Sequence, residues 1–216
     1  TVVGAGSWGT ALAQVLCDNK NQVMVYDLNA DIFKDVNENH RNARFFEEVE
    51  LPSSLRATTD LKEALKEAEF ILLSVPTKVI RDVLKTINTQ LTHKVVIINA
   101  SKGIEPGTHK RVSEIVMEEI NADYLEAFVA LTGPSHAEEV IQRSLTTVTC
   151  AATVVDRANE VQKMFTNDYF RVYRVDDLIG VEIGGSIKNV IALAAGILAG
   201  LGYGDNPKAA LITRGL

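Results

Sequence analysis

Two hydrophobic patterns divide the chain. Up to residue 175, short apolar runs alternate with amphipathic stretches; beyond it, only helix-compatible sequence remains. The opening TVVGAG is an apolar strand running into glycines. Residues 8–19 (WGTALAQVLCDN) then place Leu12, Val15 and Leu16 at helical spacing. Residues 22–27 (QVMVYD) read as a second strand, 29–39 as a helix, and 52–58 as irregular chain or a short strand. Asp60 is placed to cap the helix LKEALKEA. The apolar run 70–75 (FILLSV) stops at Pro76, a helix is predicted over 78–88, and 95–100 (VVIINA) is another strand. SKGIEPG reads as a turn, 108–120 as a helix, 128–132 as a strand and 137–142 as a short helix. Two further strands, 145–151 and 170–175, flank a helix over 157–165.

Continuous apolar strands alternating with helices predict a sheet covered on both faces. The fold class is therefore α/β: a Rossmann-like, mostly parallel sheet domain over 1–175, followed by the start of an all-helical second domain over 176–216. Glycines at 200, 202 and 204 and Pro207 are expected to break that helical stretch.

With 216 residues, a core is easily buried without disulfides or metal. Lys plus Arg number 22 and Asp plus Glu 28, a net charge of −6, which gives no basic field for nucleic acid or an anionic membrane. The longest apolar stretch, 190–201 (VIALAAGILAGL), is too short and too rich in Gly and Ala to span a bilayer. Cys17 and Cys150 make no disulfide scaffold and fit a reducing, cytoplasmic setting, while the four scattered histidines form no metal motif. The first residue already lies inside a motif and TRGL carries no stop signal, so chain is expected beyond both ends.

Gly4-Ala5-Gly6-Ser7-Trp8-Gly9 fits GxGxxG between a strand and a helix. Gly4 permits the tight turn, Gly6 lets a pyrophosphate approach the backbone, and Gly9 lets helix and strand pack closely. The helix start offers free N–H groups and the positive end of a dipole. Asp27 closes the second strand 18 residues after Gly9. A carboxylate there accepts from ribose hydroxyls and repels a 2′-phosphate, so NAD is favoured over NADP. A solvent-facing strand-end Asp is the competing reading.

Ligands in open α/β sheets sit beyond the carboxyl ends of the strands. Ser74-Val75-Pro76, Ser101-Lys102-Gly103 and Gly133-Pro134-Ser135-His136 all fall at such ends. Lys102 with the donors of Gly133 and Ser135 suits an anionic substrate. In the second domain, Val181, Gly185, Lys188, Ala192, Ala195 and Ala199 share one helix face. Burial of Lys188 on this small-residue face, beside a cation such as Lys102, would lower its pKa for acid–base work. Spacing alone favours the other reading, a lysine reaching along its stem to solvent. Asn189 is placed to orient substrate or the lysine.

These strings together resemble the bacterial type of the NAD(P)-dependent glycerol-3-phosphate dehydrogenase family. The matching segments are GAGSWGTALA, SKGIE, TGPSHAEEV, FRVY and IGVEIGGSIKNVIALAAGILAGLGYGDNPKAALITRGL, with NENHRNARFF a looser match. The resemblance implies interconversion of dihydroxyacetone phosphate and sn-glycerol 3-phosphate for glycerophospholipid synthesis, without a metal. It implies cofactor contacts at Ser7, Trp8 and Ala137, a shared cofactor and substrate contact at Lys102, substrate contacts at Gly133 and Ser135, and proton transfer by Lys188. A homodimer is expected of the full-length protein. Asp27-Leu28 departs from members that carry a basic residue after the second strand and use NADPH. The family's later aspartate and its Ser-Arg-Asn stretch are expected beyond Leu216, so the 216 residues alone are expected to be a poor enzyme. A related β-hydroxyacid-type dehydrogenase and a non-catalytic NAD-sensing module are the alternatives.

Overall fold

The computed structural model describes residues 1–215. Its first unit runs β1 (Val2–Val3), α1 (Ser7–Asp18), β2 (Met24–Tyr26), α2 (Ala30–Lys34), β3 (Arg56–Thr58), α3 (Leu61–Leu65), β4 (Phe70–Leu73), α4 (Ile80–Asn88) and β5 (Val95–Asn99). There follow α5 (Val112–Glu119), β6 (Leu125–Thr132), α6 (Ala137–Ile141), β7 (Thr146–Ala152), α7 (Val155–Phe165), β8 (Phe170–Arg174), α8 (Leu178–Gly200) and α9 (Asp205–Gly215). The strands form one sheet in the order β3-β2-β1-β4-β5-β6-β7-β8. All pairs are parallel except β6 with β7, where Leu131 faces Cys150 across an antiparallel ladder. The order turns from descending to ascending at β1, whose Val2 pairs with Val25 on one side and Leu72 on the other. That reversal opens the crevice in which doubly wound sheets bind ligands.

Period-2 alternation sends neighbouring strand residues to opposite cores. Val2, Leu72 and Ile98 face the layer of α1, α6 and α7, together with Leu12, Val15, Val161 and Phe165. Val3, Ile71, Leu73 and Ile97 face α3, α4 and α5, together with Leu84, Ile87 and Ile115. All five residues of β5 are buried, as a strand covered on both sides requires.

Several boundaries differ from the sequence reading. The helix expected over 29–39 divides into α2 and a π-helical turn, Asp35–Asn39, which ends where His40 adopts a left-handed φ of 51°. The helix expected from 108 starts at Val112. Before it, residues 105–110 close on themselves through His109 N–H to Glu105 O and Glu105 N–H to Lys110 O. Pro207 does not break α9; it sits in the first turn, where its missing N–H has no helical acceptor to lose.

The expected apolar run of 190–201 proves to be part of a longer helix. α8 has 23 residues and a mean hydropathy of 1.5 over its most apolar window, long and apolar enough by length and composition to cross a membrane. Asp177 caps it, accepting from Gly180 N–H at 2.8 Å. Its first turns lie on the sheet: a Cβ added at Gly185 would stand 2.6 Å from Thr132 Oγ1 at the end of β6. From Ile187 onward the apolar side chains are largely exposed, with Leu193 67% and Val190 64% accessible. The small-residue face through Ala192 and Ala199, expected to be covered, is likewise exposed.

Candidate active site

The glycine turn after β1 is built by two close approaches. Gly4 has φ +103°, and a Cβ there would meet Ser74 O at 2.6 Å. A Cβ at Gly9 would collide with Gly4 O, so the start of α1 lies against the turn itself. Gly6 differs: apart from its immediate chain neighbours, no atom lies within 4 Å of its Cβ position. The first bond of α1 runs from Thr10 N–H to Gly6 O at 2.9 Å, which leaves the amides of residues 7–9 at an open helix start. A pyrophosphate fits that combination of space, N–H donors and dipole.

Asp27 holds this turn closed. Its Oδ2 accepts from Ala5 N–H at 2.8 Å and its Oδ1 from Asn29 N–H at 3.0 Å. Each carboxylate oxygen keeps one further acceptor site for a ribose hydroxyl. Asn42, 1% exposed, buttresses the turn from the other side, donating to Ala5 O at 3.0 Å and Thr10 Oγ1 at 2.8 Å. The sequence shows Asn42 only as part of the loosely matching string NENHRNARFF, since an Asn among charged residues gives no local sign that it is buried.

Lys102 lies past the end of β5, with its Nζ 5.9 Å from the centroid of the Trp8 ring. Gly103 follows at φ +118°, and Thr77 Oγ1 donates to Lys102 O at 2.7 Å. Glu105 anchors this loop to α4 through a paired contact with Arg81, Nε–Oε1 2.7 Å and Nη2–Oε2 2.8 Å. Arg81 also meets Glu118 and Glu119 on α5. The guanidinium and the Thr108 hydroxyl hold the Glu105 carboxyl down at about 2.

Burial lowers the Lys102 pKa, and the positive charge of Lys188 lowers it further. The sequence reading offered position 188 for the lowered amine. In the structure Lys102 as a residue is exposed and Lys188 is half-buried, and the lowering shown is that of Lys102, whose amine is partly desolvated and faces the charge of Lys188. Asn189 is exposed.

The Ser135 amide is less free than expected. Gly133 is required by β7, since a Cβ would lie 2.8 Å from Val148 Cα. Ser135 N–H already donates to Gly133 O at 3.0 Å, and the residue is 7% exposed. Ala137 is buried at the start of α6, which packs against α1; Gln14 on α1 donates to Ile141 O at 3.0 Å.

A narrow crevice with room for about one water lies where β5, β6 and α8 meet, lined by Asn99, Lys102, Thr132, Glu182 and Gly185 among others. A larger hollow lies at the opposite edge, by Thr1, Met24 and Phe70, and contains none of the predicted residues. Glu182 was missed by the sequence reading. Its carboxylate side chain, 4% exposed, accepts from Ser113 N–H at 2.8 Å, Ser113 Oγ at 2.7 Å and Arg111 Nη1 at 3.0 Å. A lone carboxylate inside the apolar string IGVEIGG was the available signal, because such a group is rarely buried unless paired. Among the described residues no cluster of His, Cys, Asp or Glu is arranged to hold a metal ion.

Comparison with known proteins identifies this arrangement. Residues 1–158 match the family model described as NAD-dependent glycerol-3-phosphate dehydrogenase N-terminus, and 177–216 match the corresponding C-terminus. A glycerol-3-phosphate dehydrogenase [NAD(P)+] of Bacillus cereus strain G9842 is 53% identical over 216 residues. One of Streptococcus uberis is 51% identical over 215 residues; each alignment covers 100% of this chain and 64% of the relative. The chain thus spans about 64% of the length of these curated relatives. A crystal structure of glycerol-3-phosphate dehydrogenase from Coxiella burnetii superposes with a TM-score of 0.89 at 34% identity, covering 99% of this chain and 65% of that one. With the glycine turn, the Lys102–Lys188 juxtaposition and both family models in agreement, the chain belongs to the NAD-dependent glycerol-3-phosphate dehydrogenase family.

Proposed function

We propose that this chain carries the cofactor domain and the acid–base lysine of an enzyme interconverting sn-glycerol 3-phosphate and dihydroxyacetone phosphate, serving glycerophospholipid synthesis. The observation that carries the reading is the Lys102 amine beside the Trp8 ring of the open glycine turn, within electrostatic reach of Lys188 from a separate element. The residues suit a dinucleotide: space at Gly6, amides at 7–9, the Trp8 ring, and an Asp27 carboxylate that favours NAD over a 2′-phosphorylated cofactor. Ser7 and Ala137 stand at the starts of the two neighbouring helices that flank this turn.

When bound, NAD(P)(H) supplies or takes up the hydride at the carbon bearing the substrate oxygen. The rest falls to the chain. Lys188 Nζ donates a proton to the ketone oxygen as it is reduced, and takes it from the hydroxyl in reverse. Lys102, Gly133, Ser135 and Asn189 hold the phosphorylated triose, with Lys102 stabilising negative charge on the reacting oxygen. Partial burial and the charge of Lys188 lower the Lys102 pKa, so its proton leaves more easily than from an isolated lysine. The proposal includes a homodimer in the cytoplasm, with α8 as a core helix of the second domain rather than a membrane span. The match of the C-terminal family model from residue 177 supports that placement.

The test has two parts. On this chain, NADH is expected to quench the fluorescence of Trp8, the single tryptophan. In a chain extended to the family's full length, dihydroxyacetone phosphate is expected to drive loss of reduced-nicotinamide absorbance, faster with NADH than NADPH. No oxidation of either cofactor sinks the activity; a preference for NADPH sinks the reading of Asp27.

A further inference from the structure

We propose that Glu182 is a positioning residue: its buried carboxylate, fastened to Ser113 and Arg111 at the head of α5, fixes the rotation of α8 that sets Lys188 against Lys102. The inference rests on the proposed function for the work of the two amines, but not for their placement. Three facts carry it. Glu182 is the one acidic residue of α8, and its side chain is 4% exposed with three donors at 2.7–3.0 Å. Those donors belong to α5, a different element, so the contact ties α8 to the sheet domain. The same side chain lines the cleft that Lys102 lines, and Gly185 lies one turn further along, against Thr132.

The helix geometry makes the coupling direct. Glu182 and Gly185 are three residues apart and share a face, which leaves α8 little freedom to roll. Lys188 follows Gly185 at the same spacing, so its charge stays within electrostatic reach of Lys102 only while this face stays docked. Below Lys188 the apolar side chains are largely exposed, and nothing comparable to the Glu182 contact holds them among the described residues. A buried carboxylate with all its donors on another element is a strong angular constraint, because rotating it away leaves the charge unpaired.

The test uses Trp8, whose ring lies 5.9 Å from Lys102 Nζ, as a reporter of that amine's titration. The charged groups on elements around Lys102 are Lys188 and Glu182 on α8, Arg111 at the head of α5, and Lys78 on the turn whose Thr77 holds the Lys102 carbonyl. Fluorescence is followed from pH 7 to 11 in the 216-residue chain. Lys102→Met is expected to abolish the transition, which assigns it. Lys188→Met removes the facing cation and is expected to raise the midpoint by about half a pH unit.

Glu182→Ala separates two roles by sign. If Glu182 acted only as a nearby anion, its removal would lower the midpoint. As a positioning residue, its loss lets Lys188 swing away, so the midpoint rises towards that of Lys188→Met. In the Glu182→Ala, Lys188→Met double variant, no further rise is expected. Ser113→Ala, which removes one donor from the α5 side and no charge, is expected to raise the midpoint by a smaller amount; it keeps the test open if Glu182→Ala fails to fold. An unchanged or lowered midpoint in both single variants, or a rise that adds in full to that of Lys188→Met, overturns the proposal. NADH quenching of Trp8 in the unaltered chain is read separately, so failure of the functional reading is distinguishable from failure of this one.

Discussion

The sheet and α8 use the same apolar residues to opposite ends. In β5 every side chain is buried between two helical layers, whereas in α8 only Val181 and Glu182 are. Leu84 on α4 has no exposed surface; Leu193 on α8 is 67% exposed. The sheet therefore holds its shape through its own packing, and α8 holds its place through one end: the Gly185–Thr132 approach and the Glu182 contact. Binding of a cofactor belongs to the first region and proton transfer to the second, with the two joined over a few residues of helix.

Lys188→Ala strikes the second region alone. In the extended enzyme it is expected to lower turnover by about 10²–10⁴-fold, the usual weight of a general acid–base group. NADH affinity, read by Trp8 quenching, is expected to stay the same; a large loss of affinity would merge the two regions. Gly9→Ala strikes the first. Its Cβ has no room beside Gly4 O, so thermal or denaturant unfolding is expected to show a loss of about 2–4 kcal/mol, together with weakened NADH binding.

A matched pair then measures the contrast itself. Leu84→Ala is expected to cost about 2–5 kcal/mol through a buried cavity, and Leu193→Ala no more than about 0.5 kcal/mol. Equal losses would show that α8 is packed in solution as the sheet is. The smallest effect concerns acid. The Glu105 carboxyl is held at about 2, below its unfolded value, so its contribution is fully present above the ordinary glutamate range and lost as pH falls towards 2. Amide exchange across residues 101–111 is expected to quicken over that window before the strands do, and Arg81→Met is expected to remove the dependence.

The alternation of apolar runs revealed the strand order's raw material, the two-layer core and the glycine turn, because each depends on local period or on residues that only one conformation accepts. The antiparallel entry of β7 was not legible: Leu145 to Ala152 reads the same in either direction, and only the short link through α6 decides it. Lys102 and Lys188 were found as residue types at the end of a strand and on a helix, yet what surrounds each amine is set by neighbours from other elements, such as Trp8 beside Lys102, a tertiary matter. Gly133 illustrates a different limit. The sequence offers it as a backbone donor for substrate, whereas the glycine itself is demanded by β7, whose Val148 leaves no space for a Cβ. Asn42 and Glu182 were passed over because single polar residues announce their partners only after folding.

The latch between Asp27 and Ala5 bears on any attempt to redesign cofactor choice. Exchanging that carboxylate for a small or basic group would admit a 2′-phosphate and, by the same stroke, unfasten the loop meant to receive the dinucleotide. The adjacent Leu28 is 82% exposed and engaged in no such duty, so an arginine introduced there is the more economical starting point for an engineer.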